Sequence, residues 1–218
     1  MALDIAMQDL RHRRGQLSNS FQLEYQRRIS NQNDSFVDYQ VIEQYHKKQN
    51  TLESEQLSNI EVKRQGDLKN TEGISFQFDI LFNLPLELIE KAKFVEETEL
   101  EWVFDIPTPI GVSGDDVEQG AINSANASLQ SALSTRLMVS KSTMRFSAMH
   151  IFAPKPFKPN LLTRVDVFSI DMTFNTIDKD GPLFVTQQRR HMKGRYSFMI
   201  NIEQVVTVTL SDVNILPR

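Results

Sequence analysis

The chain has 218 residues, and 40% of them are hydrophobic, 24% charged and 9% aromatic. This length allows one domain or two small ones with a sizeable core, and the composition excludes a fully disordered chain. The sequence contains no Cys, which excludes disulfides, thiolate metal sites and Cys nucleophiles.

The net charge of −4 is unevenly spread along the chain. Residues 1–70 carry ten cationic and ten acidic side chains, residues 71–120 carry two and twelve, and residues 121–218 carry twelve and six. This segregation favours two oppositely charged solvated faces. Alternatively, the acidic middle region pairs with the basic C-terminal region within the fold or between subunits. The candidate basic contact patch comprises Arg189, Arg190, Lys193 and Arg195. It has no interleaved aromatic residues, so nucleic-acid binding is disfavoured.

Residues 1–70 are rich in Gln and Asn, contain no Pro, and are predicted to be a helical arm or hairpin. Apolar side chains recur there in steps of three, four or seven, the spacing of one helix face. A second stretch, from Val41 to Ile60, is similar. We interpret the first stripe either as an oligomerisation surface or as the buried face of a hairpin that covers its own sheet. It consists of Leu3, Met7, Leu10, Leu17, Phe21 and Tyr25.

From residue 71 the pattern becomes that of a β-rich domain, residues 71–218. Alternating apolar residues predict a strand over 74–82 and a second strand over 94–106, separated by Pro85. On the second strand Glu97, Glu99 and Glu101 share one face. These carboxylates form a candidate acidic contact face, with a solvated face or a catalytic site as alternatives.

Residues 107–135 are predicted to be a loop and helix insertion, because Pro107, Pro109, Gly111 and Gly114 precede small residues with helical spacing. Strands are predicted next around 144–152 and 167–174, and residues 183–188 are predicted to return as a hairpin partner. One register of apolar residues then runs from Tyr196 to Leu210. It predicts one long C-terminal strand, or two consecutive strands in the same register.

The sequence contains none of the common catalytic motifs. The four His residues lack metal-binding spacing, and no phosphate-binding glycine loop or nucleophile elbow is present. We therefore predict no catalytic, cofactor-binding or metal-binding residues, no cofactor, and no enzymatic activity.

The segment from Phe76 to Pro109 resembles part of a family of small, uncharacterised bacterial proteins, known only as a domain of unknown function. The matching residues are Leu84-Pro85-Leu86, Val95, Glu97 and Trp102 to Phe104. The resemblance covers about 35 of the 218 residues and implies a helical N-terminus followed by strands. It supplies no activity or catalytic residues.

Together these patterns predict an α+β fold, with the N-terminal helical region followed by an antiparallel sheet or sandwich of five to seven strands. The leading functional prediction is a non-enzymatic structural protein that self-associates, with a virion or other particle component as one version. The alternative is a ligand- or lipid-binding module that uses an apolar, Phe-rich sheet face, and a hydrolase or transferase ranks third. The sequence shows no signal peptide or membrane span, so we expect a cytoplasmic or particle location.

Overall fold

The computed structural model describes residues 1–48, 51–68, 79–109, 131–177, 181–197 and 200–216. These residues form three helices and ten strands. The elements are α1 (Ala2–Gln16), β1 (Ser20–Asn31), β2 (Phe36–Lys48), β3 (Thr51–Gln65), α2 (Ile80–Asn83), α3 (Leu86–Glu90), β4 (Lys93–Glu97), β5 (Glu101–Ile106), β6 (Ser134–Ser140), β7 (Phe146–Phe152), β8 (Thr163–Thr176), β9 (Leu183–Tyr196) and β10 (Ile200–Leu216).

The ten described strands form one antiparallel sheet in the order β3-β2-β1-β10-β9-β8-β7-β6-β5-β4. Every neighbouring pair except one is consecutive in the chain. The exception joins the two ends of the sequence, since β1 pairs with β10 from Gln22 opposite Leu216 to Asn31 opposite Val206. An antiparallel sheet with one N-terminal helix agrees with the predicted α+β class, but the sheet has more strands than predicted.

The helices cover one face of this sheet. Ala6, Met7 and Leu10 of α1 are buried in the main core cluster, together with Leu81 and Ile89 of the two short helices. Among the described residues, six Phe side chains are buried: Phe21, Phe82, Phe104, Phe146, Phe174 and Phe184. Burial of this apolar face supplies the driving force that holds α1 on the sheet.

A buried arginine also fixes α1. The Arg13 side chain pairs with Asp9 one turn earlier at 2.8 Å and donates to the carbonyl oxygen of Gly181, which lies just before β9. Arg145 reaches the same Asp9 carboxylate at 3.5 Å. Because the Arg13 charge is paired and hydrogen-bonded, its burial is tolerated.

The prediction that residues 20–65 are helical is wrong, because they form β1, β2 and β3. The misleading feature is a spacing of four residues, which fits a helix turn and is also a multiple of the strand period of two. Phe21 and Tyr25 are buried on β1, and Val41 and Tyr45 are buried on β2. The predicted boundary between residues 70 and 71 stays a prediction.

Two further predicted elements are corrected. Residues 74–78 of the predicted strand 74–82 lie outside the described residues, and Ile80–Asn83 is helix α2. The predicted strand over 94–106 is a hairpin of β4 and β5. Thr98 closes its turn, because its amide donates to the Glu101 carbonyl at 2.8 Å and its Oγ1 accepts from the Glu101 amide at 3.0 Å.

The C-terminal half follows the predicted alternation more closely. The predicted hairpin between β8 and β9 is present, with Thr176 opposite Leu183. The last strand, β10, has 17 residues, and it begins after Tyr196, which belongs to β9. Most of the predicted insertion 107–135 lies outside the described residues. Among the helices described, none has the length and apolar character needed to cross a membrane.

Candidate ligand-binding site

A cavity opens between the end of α1, the two short helices and the β2–β3 hairpin. Its volume is about 470 Å³. Its walls combine apolar side chains with several cations. The lining residues are Arg11, Arg14, Gly15, Lys47, Thr51, Phe82, Asn83, Leu84, Pro85, Leu86 and Glu87.

The wall formed by α2 is tied to the sheet by one amide side chain. Asn83 accepts a hydrogen bond from the Leu52 amide at 2.7 Å and donates one to the Leu52 carbonyl at 3.1 Å. It thereby satisfies both backbone groups of an edge-strand residue, as a neighbouring strand would. This pairing sets the position of α2 relative to β3.

Arg14 lies at the centre of the helix junction. Its Nη2 donates to the carbonyl oxygens of Leu81 and Leu84, the latter at 2.8 Å, and its guanidinium lies 5.6 Å from the centre of the Phe82 ring. Its Nε is buried with no hydrogen-bond partner among the described residues. Burial lowers the pKa of Arg14 to about 10, and the positive charge of Arg11 adds to this effect.

Two other cations complete the basic side of the cavity. Lys47 donates to the Arg14 carbonyl at 2.7 Å, where a cation stabilises the C-terminal turn of a helix. Arg11 pairs with Glu90 at 2.8 Å. The lining residues therefore carry three cations against one carboxylate, that of Glu87. This arrangement favours an anionic group at the cavity.

A cluster of acids and tyrosines lies behind α2. Tyr25 and Tyr45 each donate a hydrogen bond to Glu43, at 2.8 and 2.6 Å. Burial, followed by the charge of Glu43, raises the pKa of both phenols. Burial also raises the pKa of Asp79 to about 6, with Glu43 contributing in the same direction. Asp79 directly precedes α2, and α2 forms one wall of the cavity. A change in the charge of Asp79 therefore acts on the start of that helix.

The candidate oligomerisation stripe does not form one helix. Leu3, Met7 and Leu10 lie on α1 and pack on the core, Leu17 ends that helix, and Phe21 and Tyr25 lie on β1. These side chains contact the chain's own sheet. Only the α1 part of the stripe covers the sheet, and a role of the stripe in oligomerisation stays a prediction.

The candidate acidic contact face is split by the β4–β5 turn. Glu97 ends β4 and pairs with Lys141 at 2.7 Å. Glu99 lies in the turn, and Glu101 begins β5 and accepts from Ser147 Oγ at 2.6 Å. The geometry of alternate residues on one strand is therefore wrong for these three carboxylates, and a role in contacts stays a prediction.

The candidate basic contact patch lies on β9 but on both of its faces. Arg189, Lys193 and Arg195 project to one side, whereas Arg190 projects to the other, because successive side chains of a strand alternate. Burial lowers the pKa of Arg190. Lys193 pairs with Glu203 at 3.0 Å. Its role as a contact patch is untested and stays a prediction.

The described part of the chain contains no group of three or more His, Asp or Glu placed to hold a metal ion. The cavity residues Arg14, Lys47 and Asn83 were not singled out by sequence reasoning. The one local signal in the sequence is the spacing of Arg11 and Arg14, which lie three residues apart and so share a helix face. Their proximity to the Leu84-Pro85-Leu86 segment exists only in the folded structure. Contacts between residues so far apart in sequence leave no local pattern.

Solved structures that are similar to this chain include two bacterial proteins. One is the crystal structure of a LolA superfamily protein from Nitrosomonas europaea, with 12% identity and a TM-score of 0.35, covering 98% of this chain and 94% of that chain. The other is a DUF1329 family protein from Desulfovibrio piger, with 12% identity and a TM-score of 0.36, covering 98% of this chain and 91% of that chain. No family model and no curated protein matches.

The leading functional prediction, a self-associating structural or virion protein, is wrong. The features that suggested assembly have explanations within one chain, because α1 packs on its own sheet and residues 20–65 extend that sheet. The predicted particle location is withdrawn with it.

Proposed function

We propose that this protein is a non-enzymatic binding module for an amphipathic, lipid-like ligand. The observation that carries the proposal is the cavity of about 470 Å³ between α1, α2, α3 and the β2–β3 hairpin. Its volume falls in the range of small-molecule sites. Its lining combines apolar side chains from the short helices with cations from α1 and β2.

The apolar and the cationic lining residues would contact different parts of the ligand. Phe82, Leu84 and Leu86 offer contacts to an apolar chain, while Arg14 and Lys47 offer charge to an anionic head group. A carboxylate or phosphate group in the cavity would face the positive charge of Arg14, which lines it.

The apolar sheet face supports the same function. The cavity borders the helices that cover this face, and α2 and α3 have only four and five residues. Helices this short are held by packing and by contacts such as those of Asn83, not by their own stability. Their displacement would open the apolar face to a longer ligand chain.

Gly15 provides a direct test. It lines the cavity, and a Cβ added there meets no atom within 4 Å. Gly15→Trp should therefore fill the cavity without disturbing the fold. The matched control is Gln16→Trp, which places the same side chain on the adjacent exposed residue, outside the lining.

The probe is dansylaminoundecanoic acid, an anionic acyl chain whose fluorescence rises in an apolar site. We expect saturable binding to the native protein and to Gln16→Trp, and affinity weaker by about tenfold or more in Gly15→Trp, which corresponds to about 1.4 kcal/mol. Equal affinity in both variants, or no saturable binding to the native protein, would refute the proposal.

A further inference from the structure

A second surface lies at the other end of the strands from the cavity. It is formed by the loop before β8 and by the hairpin of β9 and β10. Among the described residues, four large apolar side chains are exposed there: Leu161 (92%), Leu162 (51%), Tyr196 (45%) and Ile200 (56%). A single exposed Leu is ordinary, but several that adjoin indicate a contact surface.

Backbone pairing holds these side chains together. Tyr196 is the register partner of both Thr163 and Ile200, and the Ser197 amide donates to the Leu162 carbonyl at 2.8 Å. We call this surface the leucine tip, defined by Leu161, Leu162, Tyr196 and Ile200.

Three cations surround the two leucines of the leucine tip. Lys158, Arg164 and Arg195 line a cavity of about 130 Å³ together with Leu161 and Leu162. No ion pair joins Lys158 or Arg195 to another described residue. Arg164 pairs with Asp166 at 2.7 Å.

The two arginines are held side by side at a cost. Arg164 lies directly opposite Arg195 in the β8–β9 pair, and like charges in that position are destabilising. The two backbones approach closely there, since Gly194 packs on the Arg164 carbonyl oxygen with no space for a Cβ. A bound anion would offset the repulsion.

We propose that the leucine tip docks on an anionic phospholipid surface. A lipid phosphate occupies the small cavity between Lys158, Arg164 and Arg195, and Leu161 inserts between the acyl chains. Each half of this arrangement is weak alone, whereas apolar insertion combined with attraction between cations and anionic lipids gives useful affinity. A protruding Leu within a ring of cations fits a lipid surface better than a protein interface, whose core is depleted of charge.

The experiment is co-sedimentation of the full chain with vesicles. Vesicles of phosphatidylcholine alone are compared with mixed phosphatidylcholine–phosphatidylglycerol vesicles at low salt. We expect the native protein to bind the mixed vesicles and to be released as salt rises. Vesicles of phosphatidylcholine alone should bind weakly.

Two variants separate the contributions. Leu161→Ser should weaken the partition into mixed vesicles by about tenfold or more, since the buried area of one Leu is lost. The double variant K158Q/R195Q should weaken it by about 25-fold, about fivefold for each cation. The matched controls are Leu57→Ser, at a residue of β3 that is 50% exposed, and K63Q/K91Q, which removes the same charge elsewhere.

Each outcome decides the proposal. Losses confined to the leucine-tip variants support it. No binding of the native protein to mixed vesicles overturns it, as do equal losses in variants and controls. Full binding by Leu161→Ser with loss in K158Q/R195Q also overturns it and indicates a site for a free anion. The cavity test with Gly15→Trp uses different residues, so either proposal can fail without the other.

Discussion

The sharpest stability prediction concerns Asp79, at the start of α2. Its carboxylate accepts a hydrogen bond from Asn83 Nδ2 at 2.7 Å, yet burial raises its pKa from 3.8 to about 6, and the charge of Glu43 adds to the rise. The folded state therefore binds a proton at this site more tightly than the unfolded chain does. The neutral carboxyl contributes stability that is fully present below about pH 4 and is lost as pH rises through about 6.

The magnitude follows from the size of the pKa rise. A rise of about two pKa units corresponds to about 3 kcal/mol if the whole rise reflects folding. Asp79 is only half-buried, so water and side-chain motion reduce this cost, and we expect about 1–3 kcal/mol. Asp79→Asn keeps an oxygen that accepts from Asn83 but removes the charge. It should raise the free energy of unfolding by this amount at pH 7.5 and by much less at pH 4.

The assay is urea denaturation of both proteins across this pH range, followed by far-UV circular dichroism. The difference in unfolding free energy should grow between about pH 4 and pH 6 and stay level above it. A difference independent of pH would refute the reasoning, because a lost contact has no such dependence. In a Glu43→Gln background the effect of Asp79→Asn should shrink, since the repelling charge is absent.

Two other substitutions test the packing described above. Gly194→Ala should lower the free energy of unfolding by about 1–3 kcal/mol, because its Cβ would collide with the Arg164 carbonyl and force β8 and β9 apart; an unchanged urea midpoint would contradict this. Leu137→Ala should cost about 2–5 kcal/mol, since Leu137 is fully buried in the main cluster. The control Leu100→Ala, at an exposed turn residue, should stay within about 0.5 kcal/mol of the native protein, and equal losses at both sites would count against the assigned core.

The sequence predicts the strands best where apolar residues alternate strictly. In β10 the buried residues Val206, Val208 and Leu210 follow a period of two without interruption, a pattern that no helix shares. In β1 the alternation is also present, since Leu23 lies buried between Phe21 and Tyr25. Polar and charged neighbours in that segment made the four-residue spacing look helical, and pairing with β10 at the far end of the chain decided the conformation.

Local turns were harder to predict because they depend on one side chain. The β4–β5 hairpin has no Gly or Pro at its turn, and the Thr98 hydroxyl closes it by accepting from the amides of Leu100 and Glu101. A strict alternation of Glu residues therefore concealed a reversal of the chain. The candidate acidic contact face depended on that alternation, so its geometry failed for the same reason.

The two proposed sites depend on register and tertiary contacts, which a single sequence does not encode locally. Nothing in the sequence of α1 marks Arg14 as a site residue, because its partners, the carbonyl oxygens of Leu81 and Leu84, belong to a distant segment of the chain. Arg195 was noticed as one of a basic run, but only the bulge in β8 places Arg164 opposite it. In both places the fold gathers cations beside apolar side chains. An amphipathic anion matches that combination of charge and apolar surface, and for that reason we assign both places to ligands rather than to the maintenance of the fold.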